Sequence, residues 1–198
     1  MKTENAILMK QARESLKNRW GLAIGAFVVY LLIIIIASSP KNIGSIISLL
    51  ISGPFNVGVC IFVLSISRNK EPKLEQIFEG FKRFGKALAT YLLVVLFTFL
   101  WALLLIVPGI IAAISYSQTF FILADDENIS SIDAIKKSKK IMYGYKWKYF
   151  CLQLRFIGWA LLSILTLGIG FIWLLPYMQV SSAKFYDDVK EELNNQTI

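Results

Sequence analysis

The sequence predicts an all-α membrane protein, and composition, hydropathy pattern and backbone chemistry together lead to that prediction. The chain of 198 residues is 56% hydrophobic and only 17% charged, whereas soluble globular proteins are about 25% charged. Three long runs contain no Asp, Glu, Lys or Arg: 20–40, 87–124 and 156–183. A helix needs roughly 20 apolar residues to cross a bilayer, and a strand or loop exposed to lipid leaves its amides unpaired. We therefore predict membrane-spanning helices in these runs.

Six transmembrane helices in three hairpins are predicted along the chain: 20–38, 44–66, 87–107, 109–124, 149–167 and 169–185. The third and fourth spans meet at Val107-Pro108-Gly109, and the fifth and sixth meet at 166–170. Neither junction contains a charge, so both are predicted to be tight turns. The first span follows a charged segment and is too long for a cleavable signal, so we expect it to be a retained anchor.

The 21 Lys and Arg residues predict the orientation of the chain. Five lie in the N-terminal segment, six in the second-to-third connection, six in the fourth-to-fifth connection and two in the tail. Only Lys41 falls on the opposite side, and Arg155 lies inside a predicted span. Because cytoplasmic loops are enriched in Lys and Arg, both termini are predicted to be cytoplasmic. The net charge of +8 is therefore expected to meet anionic lipid headgroups, not nucleic acid.

The three large basic segments also have helical periodicity, which predicts an amphipathic cytoplasmic helix before each hairpin. The clearest apolar stripe consists of Leu74, Ile77, Phe78, Phe81, Phe84 and Leu88. Weaker stripes precede spans one and five, and Ser130 and Asp133 stand at capping-box spacing before span five. These helices either lie at the headgroup level with their basic side toward lipid or cover the cytoplasmic end of the bundle.

Regular spacing indicates one polytopic domain, 1–198, with a parallel threefold pseudo-repeat of 1–68, 69–127 and 128–198. Aromatic residues end the three basic segments at intervals of 64 and 63 residues: Trp20, Phe84 and Trp147. A proline follows in the second span of each hairpin, where it is predicted to kink or start a helix: Pro54, Pro108 and Pro176. Each unit spans twice, so the units share one orientation.

Short motifs follow one another along nearly the whole chain: Arg13 to Leu16, Trp20 to Gly25, Gly53-Pro54-Phe55, Phe78 to Phe81, Val107 to Ile111, Ser138 to Lys146, Phe156 to Trp159, Thr166 to Gly170 and Pro176-Tyr177. In this order they resemble the bacterial domain-of-unknown-function 975 family of small integral membrane proteins. That family is similar in look to the membrane domains of some glycerophosphodiester phosphodiesterases. The resemblance implies a polytopic fold in a bacterial plasma membrane. It implies no established activity and no functional residues.

Residues suited to enzymatic chemistry are scarce, so no enzyme activity, cofactor or metal is predicted. The chain has no histidine, which excludes His-activated nucleophiles and His metal sites. It also lacks a Gly-x-Ser-x-Gly elbow and a phosphate-binding Gly-rich loop. Cys60 and Cys151 lie in apolar surroundings and are predicted to be free thiols. The cluster Asp125-Asp126-Glu127 is predicted to be a solvated turn that starts the next helix; the alternative is a site for Mg²⁺ or a cationic head group.

Five polar residues within the predicted spans are candidate ligand or cavity residues: Arg155, Asn56, Ser115, Gln118 and Gln179. Arg155 either binds a phosphate or carboxylate inside the membrane or extends its guanidinium to the headgroups. The polar run 115–119, with Asn56 and Gln179, either lines a cavity between the repeats or forms interhelical hydrogen bonds.

These observations favour a non-enzymatic membrane protein that binds a lipid, peptide or protein partner in the bilayer. Roles consistent with this are envelope adaptation, assistance to a transporter, and self-protection against a membrane-active peptide. The alternative is a small permease or channel-like transporter of an amphiphile or ion, suggested by the repeats and the polar fourth span. A third hypothesis is lipid-processing chemistry at Asp125-Asp126-Glu127. No carboxylate lies within a predicted span, which disfavours a proton-coupled pump.

Overall fold

Every regular element in the computed structural model, which describes residues 3–39 and 44–196, is a helix. In chain order these are α1 (Asn5–Leu16), α2 (Trp20–Ser38), α3 (Gly44–Ser67), a 3₁₀ helix (Leu74–Arg83), α4 (Phe84–Leu104), α5 (Ile106–Tyr116), α6 (Thr119–Asp125), α7 (Ser131–Ile141), α8 (Lys146–Leu165) and α9 (Phe171–Gln196). Lys41, the one basic residue predicted on the outer side, lies outside the described residues. The all-α prediction is confirmed.

Five helical stretches within the described residues are long and apolar enough to cross a membrane: Trp20–Ser38, Gly44–Ser67, Leu74–Leu104, Ile106–Asp125 and Lys146–Leu165. They correspond to the first five predicted spans, with the third beginning earlier than predicted. The region of the sixth predicted span belongs to α9, whose later residues are charged. The chain is thus a multi-pass membrane protein.

The fourth predicted span, 109–124, is not one continuous helix, which corrects the sequence-based prediction. Helix α5 ends at Tyr116 and α6 begins at Thr119. At the break, the Ser117 hydroxyl donates a hydrogen bond of 2.8 Å to the carbonyl of Ile114, and the Ser117 amide donates to the same oxygen at 3.3 Å. Serine side chains that bond to nearby carbonyls compete with helical hydrogen bonding, so the polar run itself interrupts the helix.

The predicted amphipathic α-helix before span three is a 3₁₀ helix continuous with α4. Of its predicted stripe, Ile77 is buried, whereas Leu74, Phe78 and Phe84 are exposed. This segment lies directly on α3, because Gly80 faces the carbonyl of Pro54 and Gly58 faces the carbonyl of Ile77 with no room for a Cβ atom at either glycine. The 3₁₀ segment therefore covers α3 by direct backbone contact.

The helices pack in a recurring order. Helix α1 packs against α9, the 3₁₀ helix against α3, and α7 against α6. Helix α2 contacts α9 and α3, helix α4 contacts α3 and α5, and helix α8 contacts α5 and α9. Each of these three helices thus packs against the helix that follows it in the sequence and against one other apolar helix.

The core is concentrated at one end of the bundle, here called the charged end, where α1, the 3₁₀ helix, α7 and the second half of α9 lie. Fully buried side chains there include Leu8, Leu16, Phe62, Ile66 and Phe185. At the opposite, apolar end, the residues around the α4–α5 and α8–α9 turns are exposed: Leu103, Leu104, Ile106, Leu165 and Leu167. An apolar surface of this extent is suited to contact with lipid.

Candidate functional site

A groove with an aromatic wall, here called groove I, lies between α1–α2 and α8–α9. Its volume is about 590 Å³, which is within the range of roughly 300–1,000 Å³ found for ligand sites. Side chains that define it include Met9, Arg13, Trp20, Trp159, Trp173 and Tyr177. The groove thus joins residues about 160 positions apart in the sequence.

The α8–α9 turn holds the far wall of groove I in place. The Thr166 hydroxyl donates to the carbonyl of Ser163 at 2.8 Å and accepts from the Gly170 amide at 3.0 Å. Leu167 and Gly168 have positive φ angles of 53° and 88°, a conformation that glycine adopts without strain. A Cβ on Gly170 would lie 2.5 Å from the Ser163 hydroxyl. The small residues therefore allow α8 and α9 to approach closely beside the groove.

The polarity of groove I is uneven along its length. Arg13 is an exposed side chain on α1, at the charged end, and it has no ion-pair or hydrogen-bond partner within the described part of the chain. Tyr177 lies close enough to be affected by that charge, and its hydroxyl donates to the carbonyl of Met9 at 3.3 Å. An unpaired cation at one end of groove I, next to its aromatic wall, suits a ligand with an anionic head and an apolar tail.

A second cavity, groove II, lies among α4, α5, α7 and α8 and has a volume of about 300 Å³. Trp101, Ile111 and Tyr116 contribute its apolar wall, and Lys139 and Lys146 line it as well. Ser115, one of the predicted candidate residues, also lines groove II.

Ionised side chains from the turn after α3, the end of α6 and the second half of α9 meet at the charged end in what we call the ionic cluster: Arg68, Asp125, Asp187 and Lys190. Arg68 lies 2.6 Å from an Asp125 oxygen and 2.7 Å from an Asp187 oxygen. Lys190 also pairs with Asp125, and the Tyr186 hydroxyl donates to that carboxylate at 3.1 Å.

Charge compensation in the ionic cluster affects its acid–base properties. Burial alone would lower the pKa of the Arg68 guanidinium, but hydrogen bonds and attraction from Asp125 and Asp187 together raise that pKa above its usual value. Burial and the Asp125 carboxylate raise the pKa of the Tyr186 phenol. Arg68 therefore remains a cation near neutral pH, and its ion pairs hold the end of α3 against α6 and α9.

The prediction of a solvated turn at Asp125-Asp126-Glu127 is wrong for Asp125. The Asp125 side chain is only 12% exposed and is ion-paired, whereas Glu127 pairs with Arg83 but is 75% exposed. Sequence reasoning missed these pairs because the partners lie more than 40 residues away. Within the described ranges, no group of three or more Cys, Asp or Glu residues could hold a metal ion.

The five candidate residues do not converge on one site. Arg155 is an exposed side chain on α8, and Gln179 is half-buried on α9. The Asn56 amide donates to the carbonyl of Ser52 on its own helix at 2.8 Å. Ser115 and Gln118 are buried at the break in the fourth span.

The helix break combines interhelical hydrogen bonding with unpaired polar atoms. The Ser138 hydroxyl of α7 donates to the Ser115 carbonyl at 2.8 Å. Gln118 is completely buried and donates to the Ser117 hydroxyl at 3.0 Å. Among the residues that the structure describes, the Gln118 side-chain oxygen and the Thr119 hydroxyl have no hydrogen-bond partner. The bond to α7 uses the backbone carbonyl of Ser115, whereas the Ser115 hydroxyl donates to the carbonyl of Ile111 on its own helix at 2.6 Å.

The residues of groove I were not singled out as a site from the sequence. Trp20 drew attention only as an aromatic residue at the membrane surface, and Arg13 only as one of many basic residues. The sequence does have aromatic residues in the first, fifth and sixth predicted spans. It does not show that these three spans lie next to one another, because that depends on how the helices pack. The two cysteines, predicted to be free thiols, are free, with Cys60 buried and Cys151 half-buried.

Comparison with known proteins gives a family but no activity. The family model described as "Protein of unknown function (DUF975)" matches residues 1–115 and 103–193. No curated protein and no solved structure matches the chain. The matched segments together cover nearly all of the sequence, in agreement with the motif order noted above. The chain therefore belongs to the DUF975 family of proteins of unknown function.

Proposed function

We propose that this protein is a non-enzymatic protein of the bacterial plasma membrane that binds an anionic phospholipid in groove I. The observation that carries the proposal is the unpaired Arg13 at one end of a groove of about 590 Å³ with an aromatic wall. Cationic side chains near the membrane surface attract anionic headgroups, and the apolar wall provides contact for an acyl chain. A lipid held there supports each of the suggested roles, since envelope adaptation, transporter assistance and self-protection all involve the bilayer.

The proposed topology has six spans, with the first half of α9 as the sixth. Residues 171–183 of α9 carry no Asp, Glu, Lys or Arg, and the charged residues follow at the charged end. The basic segments lie at that same end, so the positive-inside rule supports a cytoplasmic charged end with both termini there. In this arrangement α2–α3, α4–α5/α6 and α8–α9 form three hairpins.

We also propose that the three hairpins are pseudo-equivalent units around an axis along the membrane normal. Each unit includes the helix that precedes its hairpin, here called the leading helix: α1, the 3₁₀ helix and α7. The support is the packing order: the leading helix of each unit lies against the last helix of the preceding unit, and α1 closes the ring against α9. The ionic cluster joins the ends of α3, α6 and α9, which are the last helices of the three units. Anionic phospholipid would then bind between units, not within one.

Single-cysteine labelling tests the topology. In a chain with Cys60 and Cys151 replaced by serine, a cysteine at Leu167 is expected to react with a membrane-impermeant maleimide added to intact cells. A cysteine at Glu127 is expected to react only after the cells are permeabilised, because it lies at the cytoplasmic end. Both positions are exposed in the structure. Reaction of Glu127→Cys in intact cells would reverse the orientation and contradict the proposal.

Lipid selectivity at groove I tests the binding proposal. The reporter keeps Trp159 as the only tryptophan, with the other four replaced by phenylalanine, in nanodiscs of mixed phosphatidylglycerol and phosphatidylcholine. Quenching by phospholipids brominated in the acyl chain gives the relative affinity of the two lipids at this position. We expect the anionic lipid to be preferred about fivefold, and Arg13→Gln to reduce the preference to about one, since a surface cation contributes about 1 kcal/mol.

Arg155→Gln is the matched control, because Arg155 is also an exposed arginine and does not line groove I. It is expected to leave the preference at Trp159 unchanged. Binding at groove I is refuted if the preference for the anionic lipid survives Arg13→Gln. It is also refuted if Arg155→Gln removes the preference equally, because the selectivity would then come from the surface charge as a whole.

A further inference from the structure

We infer that groove II is a second binding site for an anionic phospholipid, pseudo-equivalent to groove I, with Lys139 and Lys146 holding the headgroup. This inference rests on the proposed function of groove I and extends it to another place in the molecule. The two grooves differ in the residues that supply the charge, so their occupancy can be measured separately.

The elements that form the two grooves correspond one to one within the proposed repeat. Groove I lies between the α8–α9 hairpin and the leading helix and first span of the next unit, α1 and α2. Groove II lies between the α4–α5 hairpin and the same elements of the following unit, α7 and α8. In both, the hairpin contributes a tryptophan and a tyrosine, namely Trp159 and Tyr177 in groove I and Trp101 and Tyr116 in groove II.

Both grooves also take their positive charge from the leading segment. Lys139 lies on α7, the counterpart of α1, and Lys146 is the first residue of α8, the counterpart of α2. Within the described residues, neither lysine has a hydrogen-bond or ion-pair partner. Two ammonium groups that line the same apolar cavity without a carboxylate among its lining residues favour an anionic ligand, because unpaired like charges repel each other until an anion intervenes.

Lys139 extends this charge toward the cytoplasmic side. It also lines a neighbouring groove of about 750 Å³ whose wall includes Lys136 and Lys140. A phosphate between Lys139 and Lys146 would therefore lie at the border between the apolar cavity and a basic surface. That is the position of a phospholipid headgroup whose acyl chain follows the wall formed by Trp101 and Ile111.

The third inter-unit position is filled by the protein itself. The 3₁₀ helix and α4 lie against α2 and α3 there, and the ring of Phe55 contacts Tyr30, Phe78 and Phe81 at centroid distances of 5.6, 5.8 and 4.9 Å. Gly58 and Gly80 bring the two backbones into direct contact. Edge-to-face aromatic packing stabilises this closed arrangement. The chain therefore has two such lipid sites, not three.

A reporter that keeps Trp101 as the only tryptophan tests groove II in the full-length protein. In nanodiscs of phosphatidylglycerol and phosphatidylcholine, we expect brominated phosphatidylglycerol to be preferred roughly 25-fold at Trp101, because each of the two lysines contributes about 1 kcal/mol. The double variant Lys139→Gln/Lys146→Gln is expected to reduce this preference to about one without changing the preference at Trp159. Arg13→Gln is expected to remove the preference at Trp159 and to leave the preference at Trp101 unchanged.

The matched control is Lys10→Gln/Lys17→Gln, which removes the same charge from the segment around α1 and leaves groove II intact. Equal loss at Trp101 in the control, or a preference that survives Lys139→Gln/Lys146→Gln, refutes the second site. A preference at Trp159 but none at Trp101 refutes groove II and leaves the proposed function standing. A preference at neither reporter refutes both. Loss of the Trp101 preference in millimolar inorganic phosphate would identify a free-anion site and overturn the lipid assignment.

Discussion

Asp125→Ala is expected to lower the free energy of unfolding by about 2–3 kcal/mol, measured by denaturant titration in detergent with circular dichroism. The carboxylate pairs with Arg68 at 2.6 Å and with Lys190, and it accepts from Tyr186 at 3.1 Å. Removing one partner of a buried ion pair costs about 3–5 kcal/mol, because the remaining charge is left uncompensated. The expected value is smaller because the Arg68 side chain is 28% exposed and Arg68 keeps its bonds to Asp187.

The neighbouring Asp126 provides the control. Within the described part of the chain its carboxylate accepts only from the amide of Asn128, at 3.0 Å in an exposed loop, so Asp126→Ala is expected to change the free energy of unfolding by less than about 1 kcal/mol. Equal destabilisation by the two substitutions would indicate that the ionic cluster does not hold the ends of α3, α6 and α9 together.

Gly58→Ala is expected to destabilise the protein by about 3 kcal/mol in the same measurement. A Cβ at this position would overlap the carbonyl of Ile77, and a Cβ at Gly80 would overlap the carbonyl of Pro54. Overpacking typically costs about 1–3 kcal/mol, and here the obstructing atoms are backbone, so no side-chain rotation relieves the clash. The 3₁₀ helix would have to move away from α3, which would also open the aromatic packing around Phe55.

Gly25→Ala distinguishes this clash from a general effect of replacing glycine in a membrane helix. Gly25 lies within α2, and a Cβ there would meet no atom within 4 Å. Alanine is the better helix former by about 1 kcal/mol in water, so we expect Gly25→Ala to be neutral or stabilising. Destabilisation of similar size at Gly25 and Gly58 would contradict the close approach of the two backbones.

The secondary structure was largely predictable because hydrocarbon imposes a local rule: each long uncharged run must satisfy its own amides as a helix. The predicted start of the first span at Trp20 coincides with that of α2. The Ser130 cap was also predictable, since its hydroxyl accepts from the Asp133 amide at 3.1 Å. The break at Ser117 was not predicted, because local side-chain bonding competes with a helix-favouring apolar sequence.

The candidate site was much less predictable, since its parts come from distant segments. Arg13 looks like any basic residue before a span until α1 is placed against α9. Arg155 attracted attention as a charge inside a predicted span, yet its side chain is exposed and the groove lies elsewhere. Asp125 looked like part of a solvated turn because the two cations that neutralise it are 57 and 65 residues away. Composition and periodicity contain no information about such pairings.

The uneven distribution of buried side chains has a mechanical consequence for the protein in its bilayer. Cohesion is concentrated at the charged end, so that end acts as a rigid base. The distal halves of α4 and α8 are held mainly by their turns and by surrounding acyl chains. When bilayer thickness changes, the helices can therefore adjust their tilt at the apolar end while the base keeps its shape.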